Sequence, residues 1–332
     1  MTMPTPPSGG PGGGPSSMTS GLDPRLAGVL HGLYCAVLGA APLLGVPFAL
    51  ALSFFAAMPI FYVGFAKGPL AAVIAGVVAI VATSLVATPL GGLTLAANTV
   101  APAAYAAFLI NLARPAEELG GPSDGLAWFP LADVLLRLCL TVAMGSIVIG
   151  LAVGYDAADL RQVLIDGMNE ADPSLREALG DDAQREALAS LVSVLLPLAQ
   201  PLSAVLVLVG NMHLAMRLAR ARGVLRRPPD DMALALRLPT LGLLAFGIAL
   251  ALSFGSGELA MAARAFAGAL GAGFMIAGFA IVHWQLRGTT LRLPALIALY
   301  GLTALTTLPA FAMVAIGLFS SARAVPISKR TD

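Results

Sequence analysis

Residues Asp156–Arg227 read DAADLRQVLIDGMNEADPSLREALGDDAQREALASLVSVLLPLAQPLSAVLVLVGNMHLAMRLARARGVLRR. The first part, 156–188, carries nine acidic residues against three arginines. An apolar run follows from Ala189 to Met216, and Arg217, Arg220, Arg222, Arg226 and Arg227 close the stretch. Acid at one end, a bilayer's length of apolar chain, and arginine at the other describe an oriented transmembrane helix. Long apolar runs lie on both sides of it, so the chain reads as an all-α polytopic membrane bundle.

The composition agrees. Hydrophobic residues make up 58% of the chain, charged residues 11%, and the mean hydropathy is +0.87. A water-soluble domain carries roughly a quarter charged residues, and this chain lacks the polar surface to face water all round. The net charge of +1 gives no bulk attraction for nucleic acid. Cys35 and Cys139 are far apart within apolar runs and read as buried thiols.

Residues 1–20 are Pro, Gly, Ser and Thr with almost nothing to bury, and read as a disordered tail rather than a signal peptide. Spans are expected near 26–45, 47–66, 69–88, 93–112, 131–154, 189–216, 238–254, 261–285 and 293–318. The acidic segment thus divides a five-span bundle at 21–155 from the spans of 189–322, with a short tail at 323–332. Backbone groups in lipid must pair internally, so the runs should be helices; strand-period alternation is absent. The loop 113–130 holds turn formers, charge and Trp128, placed as an interface anchor.

With nine spans, Arg25, Lys67, Arg114, the Arg217–Arg227 cluster, Arg287 and Arg292 share one side, which the positive-inside rule makes cytoplasmic. The N-terminus belongs there, in a cell's inner membrane. The closing run, interrupted by Pro294 and Pro309, is either a ninth span or a re-entrant hairpin. In the acidic segment, Leu160, Val163, Leu164 and Met168 approximate helical spacing, and Ser174 with Glu177 matches a capping box ahead of Gly180. Two short helices result, either lying on the membrane surface or lidding an outward-facing cavity.

Polar residues inside spans face the bundle interior by default. The candidate polar cavity is Asn98, Tyr105, Arg137 and Asn211. The seven-residue spacing puts Asn98 and Tyr105 on one helix face, and Asp133 stands one turn before Arg137 as an ion-pair partner. Asn111, Gln200, His213, Arg264, His283 and Gln285 complete the set of polar groups, and Glu258 and Asp133 are marginal carboxylates at span ends. No catalytic or nucleotide-binding motif and no metal-ligand spacing occur, so neither an enzyme nor a cofactor or metal site is expected. Small residues crowd the runs at 69–88 and 261–285, where helices can approach closely or a partner membrane subunit can dock.

Ala57-Met58-Pro59-Ile60, Gly64-Phe65-Ala66-Lys67-Gly68-Pro69, the polar mid-chain segment, the Asn211…Arg217…Arg220 exit and the Pro-containing final run together resemble the YybS-like family of bacterial membrane proteins. That family is in turn distantly similar to the substrate-binding S components of energy-coupling-factor transporters. The resemblance implies a helical bundle that binds a small solute, working with other subunits; it carries no ligand residues across. The alternative is a non-catalytic envelope scaffold or partner for division or wall machinery. Convergence of the candidate polar residues on one cavity separates the two.

Overall fold

The computed structural model describes residues 21–44, 47–123, 125–153, 157–170 and 173–322. Both expected tails, and the Ser174 side chain of the expected capping box, lie outside the described residues.

Helix α1 (Pro24–Ala40) starts on an Asp23 N-cap, with Pro in its first turn. The second pass is broken: α2 (Pro47–Ser53) and α3 (Met58–Lys67) are separated by a turn at 54–57. Gly68, at φ +89°, then lets the chain reverse directly into α4 (Pro69–Val86). The fourth pass joins α5 (Pro89–Leu95) to α6 (Ala101–Ile110) through a π-helical turn, Ala96–Val100. Within the expected loop, Ala113–Pro115 (β1) and Leu126–Trp128 (β2) pair as a small antiparallel ribbon, an element the turn-former composition concealed. Helix α7 (Leu131–Val153) completes the N-terminal half.

In the acidic segment stand α8 (Ala157–Asn169) and α9 (Pro173–Ala178). Helix α10 (Asp182–Ala221) is 40 residues long, about 60 Å at 1.5 Å per residue and well beyond a hydrocarbon core. Its first turns belong to the acidic segment: a capping box of Asp181 and Gln184 starts it, and Arg161 bridges from α8 to Glu186 at 2.7 Å. After a loop containing α11 (Met232–Ala235), the apolar α12 (Thr240–Ser253) leads into α13 (Gly257–Gln285).

The final run is not one straight span. It breaks by 117° between α14 (Arg292–Leu305) and α15 (Leu308–Ala322). Tyr300 of α14 stacks on Phe279, with ring centroids 5.0 Å apart, near the end of α13. Helix α15 then runs antiparallel along α13, Met313 beside Gly278 and Gly317 beside Phe274. Among the described residues, the nine expected runs therefore resolve into seven helices long and apolar enough to cross a membrane, the shorter α12, and a broken last run. The chain is an integral membrane protein of helical-bundle architecture.

Close backbone approach holds the bundle together. Side chains at Gly278 or Gly317 would collide with Met313 O or Phe274 O, and one at Gly268 with Leu198 O of α10. Gly28 and Gly32 of α1 sit on α4 in the same way, with Ala71 O 2.8 Å and Ala75 O 2.5 Å from where a Cβ would stand. Lipid supplies no hydrophobic drive between helices, so dispersion at such short range is the main adhesive.

The basic residues gather at one end. Lys67 Nζ donates to Leu22 O at 3.0 Å, and Asn111 Nδ2 to Gly64 O at 3.0 Å. Arg227, its side chain 3% exposed, chelates Asp230 (2.7 and 3.0 Å) and donates to Phe129 O (2.7 Å) and Ile110 O (3.4 Å). This guanidinium ties the ends of α6, α7 and α10 together, using its planar fork as an ammonium could not. Arg287 reaches Asp231 with two hydrogen bonds of 2.5 Å. Those bonds hold the Asp231 carboxyl below the ordinary carboxylate range.

Two consequences are testable. Gly317→Val should cost about 1–3 kcal/mol or more through overpacking, while Gly210→Ala, at a position with open space, should be neutral to stabilising; thermal unfolding in detergent reads both. For Asp231, the folded value lies below the unfolded one, so its contribution is whole at neutral pH and is lost as pH falls below about 4. The melting temperatures of wild type and Asp231→Asn should accordingly differ slightly at pH 7 and converge in acid; the gap is small because both partners are partly exposed.

Candidate functional site

Apart from the broken final run, three spans depart from regular α-helix, and their departures border the same space. The first is the 54–57 turn between α2 and α3. The second is the π turn, where each N–H reaches five residues back and the ring widens. The third is in α10, where Pro197 and Pro201 have no N–H to give Ser193 O and Pro197 O, their α-helical acceptors. Irregular backbone at membrane depth is tolerated where it is buried in protein or lines a cavity.

Here it lines cavities. The larger, about 600 Å³, lies between the π turn, the last third of α7, the proline-containing part of α10 and the start of α13. Its polar lining is Thr94, Asn98, Ser146, Gln200 and Glu258, set among Ile147, Leu196, Met261 and other apolar groups. A second, of about 250 Å³, is bounded by Ser53 and Phe54 at the α2–α3 break and by Ser203, Val207 and Leu208 of α10. Asn98 and Gln200 line both. The larger cavity sits at the acidic end of the bundle, as the polarity of α7, α10 and α13 dictates.

Local contacts fix these groups. Ser146 Oγ lies 3.3 Å from Asn98 Oδ1 and 3.0 Å from Val142 O, so one hydroxyl links the π turn to α7. Gly145 allows that approach, since a side chain there would strike Ala97 O. Asn98 is buried, Gln200 half-buried, and Glu258 exposed at the rim in the first turn of α13.

Of the four expected residues, Asn98 alone lines either of these cavities. Asn211 is buried one turn from the second cavity and donates through Nδ2 to Phe54 O (2.7 Å) and Val207 O (2.8 Å). It repairs the α2–α3 break rather than facing space. Tyr105 does not share Asn98's face: it is 40% exposed, because the π turn absorbs one residue and the seven-residue spacing no longer returns to the same side. Arg137 does not pair with Asp133; its guanidinium lies 4.8 Å over the Phe129 ring, a cation–π contact near the basic end. The expected set therefore disperses, the outcome expected of a scaffold, while a different polar set, Thr94, Asn98, Ser146, Gln200 and Glu258, converges on the larger cavity.

Thr94 and Ser146 give no signal in the sequence, because hydroxyls in apolar helices usually bond back to their own helix's carbonyls, as these do to Leu90 O and Val142 O. The readable signal was the Pro197/Pro201 pair flanking Gln200, which marks interrupted backbone inside a span. Arg264 caps the end of α12, reaching Ser253 O (3.1 Å) and Gly255 O (3.3 Å). His283 bonds back to Phe279 O, and His31, which looks isolated in the sequence, stacks on Tyr62 with centroids 5.6 Å apart. Among the described residues, no group of three or more His, Cys, Asp or Glu could hold a metal ion.

Asn211→Leu removes the donor that satisfies Phe54 O. It should destabilise the protein by about 1–3 kcal/mol, the cost of an unpaired buried carbonyl, measurable as a fall in melting temperature larger than that of Tyr105→Leu.

Compared with protein-family models, with curated proteins and with solved structures, the chain matches none.

Proposed function

We propose that this protein binds a small solute in the paired cavities and serves its transport across, or capture at, the inner membrane. The observation that carries the reading is the convergence of three interrupted spans on two adjacent cavities that Asn98 and Gln200 both line. Interrupted helices at membrane depth are how transporter bundles expose backbone and side-chain dipoles to a solute. A volume of about 600 Å³ with few polar groups on apolar walls suits a small-molecule site. The resemblance in span layout to YybS-like proteins, and through them to S components, is part of this proposal. So are a cytoplasmic basic end, an N-terminus on that side, and a further membrane subunit that supplies energy. The reading assigns no catalytic step to the cavity residues.

Thermal-shift screening of the purified protein against vitamins, metals and lipid precursors tests it. A bound solute should raise the melting temperature, by an amount equivalent to about 2.7 kcal/mol at a hundred times its Kd, and Gln200→Leu should abolish that rise without unfolding the apo protein. Absence of any ligand, together with a stable co-purifying envelope protein, would favour the scaffold reading instead.

A further inference from the structure

Resting on the solute-binding reading of the larger cavity, we propose that its solute is an organic cation, an ammonium-type head on an apolar body. Among the described residues, no Lys, Arg or His lines either cavity, and Glu258 is the one ionisable lining group. The nearest guanidinium on the same helix, Arg264, is turned away and engaged with Ser253 O and Gly255 O. An anion entering this space would shed its hydration and meet no opposite charge, which is prohibitive in apolar surroundings. A cation meets the reverse. Glu258 stands at the rim, and the carbonyl oxygens of Asn98 and Gln200 and the Ser146 hydroxyl can accept from an ammonium deeper in. Ile147, Leu196 and Met261 offer the apolar body its contacts.

The approach to the rim has the same sign. Asp166, Glu170, Glu177, Asp181, Asp182 and Glu186 belong to the segment at this end of the bundle. The two arginines there whose side chains are described, Arg161 and Arg185, are already paired with Glu186 and Asp182. A cleft of one charge sign between low-dielectric walls concentrates the opposite ion and speeds its entry by about 10-fold to 10³-fold. Cations should therefore be both attracted to the mouth and tolerated inside.

Charge-selective thiol labelling tests this in the full-length protein. Cys35 and Cys139 are buried; with both replaced by Ala, a single Ala262→Cys places a thiol on the cavity wall, and Ala265→Cys provides a second position should the first variant fail to fold. The probes are three methanethiosulfonates carrying trimethylammonium, an uncharged methyl or sulfonate, each rate divided by that with a free thiol. Gly167→Cys, exposed on α8, reports the surface field alone. The expected result is labelling by the ammonium reagent at least about 10 times faster than by the sulfonate. That ratio should exceed the one at Gly167→Cys and fall several-fold on Glu258→Gln. Equal rates for all three reagents, a faster sulfonate, or a ratio unmoved by Glu258→Gln would overturn the cation assignment while leaving the cavity accessible. Failure of every reagent at both cavity positions, with Gly167→Cys reacting normally, would overturn the solute-binding reading itself.

Discussion

A helix in hydrocarbon cannot leave a backbone carbonyl unpaired, because no water is present to take the missing hydrogen bond. Every interruption of a span must therefore be repaired by something specific, and this chain places three interruptions side by side. Phe54 O is repaired by Asn211, from a residue 157 positions away in sequence. The π turn is braced by Ser146 and by Gly145 pressed against Ala97. The proline pair in α10 lies where Gly268 of α13 comes into backbone contact with Leu198. Each of these contacts comes from another irregular span or from a helix packed on one, which couples the three sites.

That unit needs a rigid frame, and α13 supplies it. Ala and Gly form the majority of its central residues, with Phe274 and Leu270 fully buried among them. It packs against α7, α10, α12 and α15. Bulky side chains would hold those helices 8–10 Å away axis to axis; glycine lets them close further and lock. At the other end of the bundle, buried Arg227 performs a comparable task by charge. It draws two backbone carbonyls and a carboxylate onto one guanidinium, which staples the basic end.

Much of this was legible in the sequence, and the reasons for the rest are physical. Span positions follow from apolar length, and the shared end of Lys67, Arg227 and Arg287 follows from counting spans, since both depend on sums over many residues. The site depends on phase and on single contacts. Tyr105 was assigned to Asn98's face by a regular helical period that the π turn does not keep. Arg137 was given Asp133 as a partner by sequence proximity, yet an aromatic ring from the preceding loop lay closer to hand. Arg227 looked like one more topogenic charge, though it is the most deeply embedded structural cation of the described residues. Nothing in local spacing distinguishes a surface arginine from one that gathers three distant segments.

The π turn also bears on what changes in chain length this fold can absorb. A π turn accommodates one residue more than an α-helix needs, and by widening locally it leaves the helix on either side in its original orientation. A chain one residue shorter between Leu95 and Ala101 could keep α5 and α6 in place, regain an unbroken hydrogen-bond ladder, and lose the bulge that carries Asn98. Loss of that bulge, and of the Asn98 placement that depends on it, is thus within reach of a single-codon deletion with no helix obliged to move.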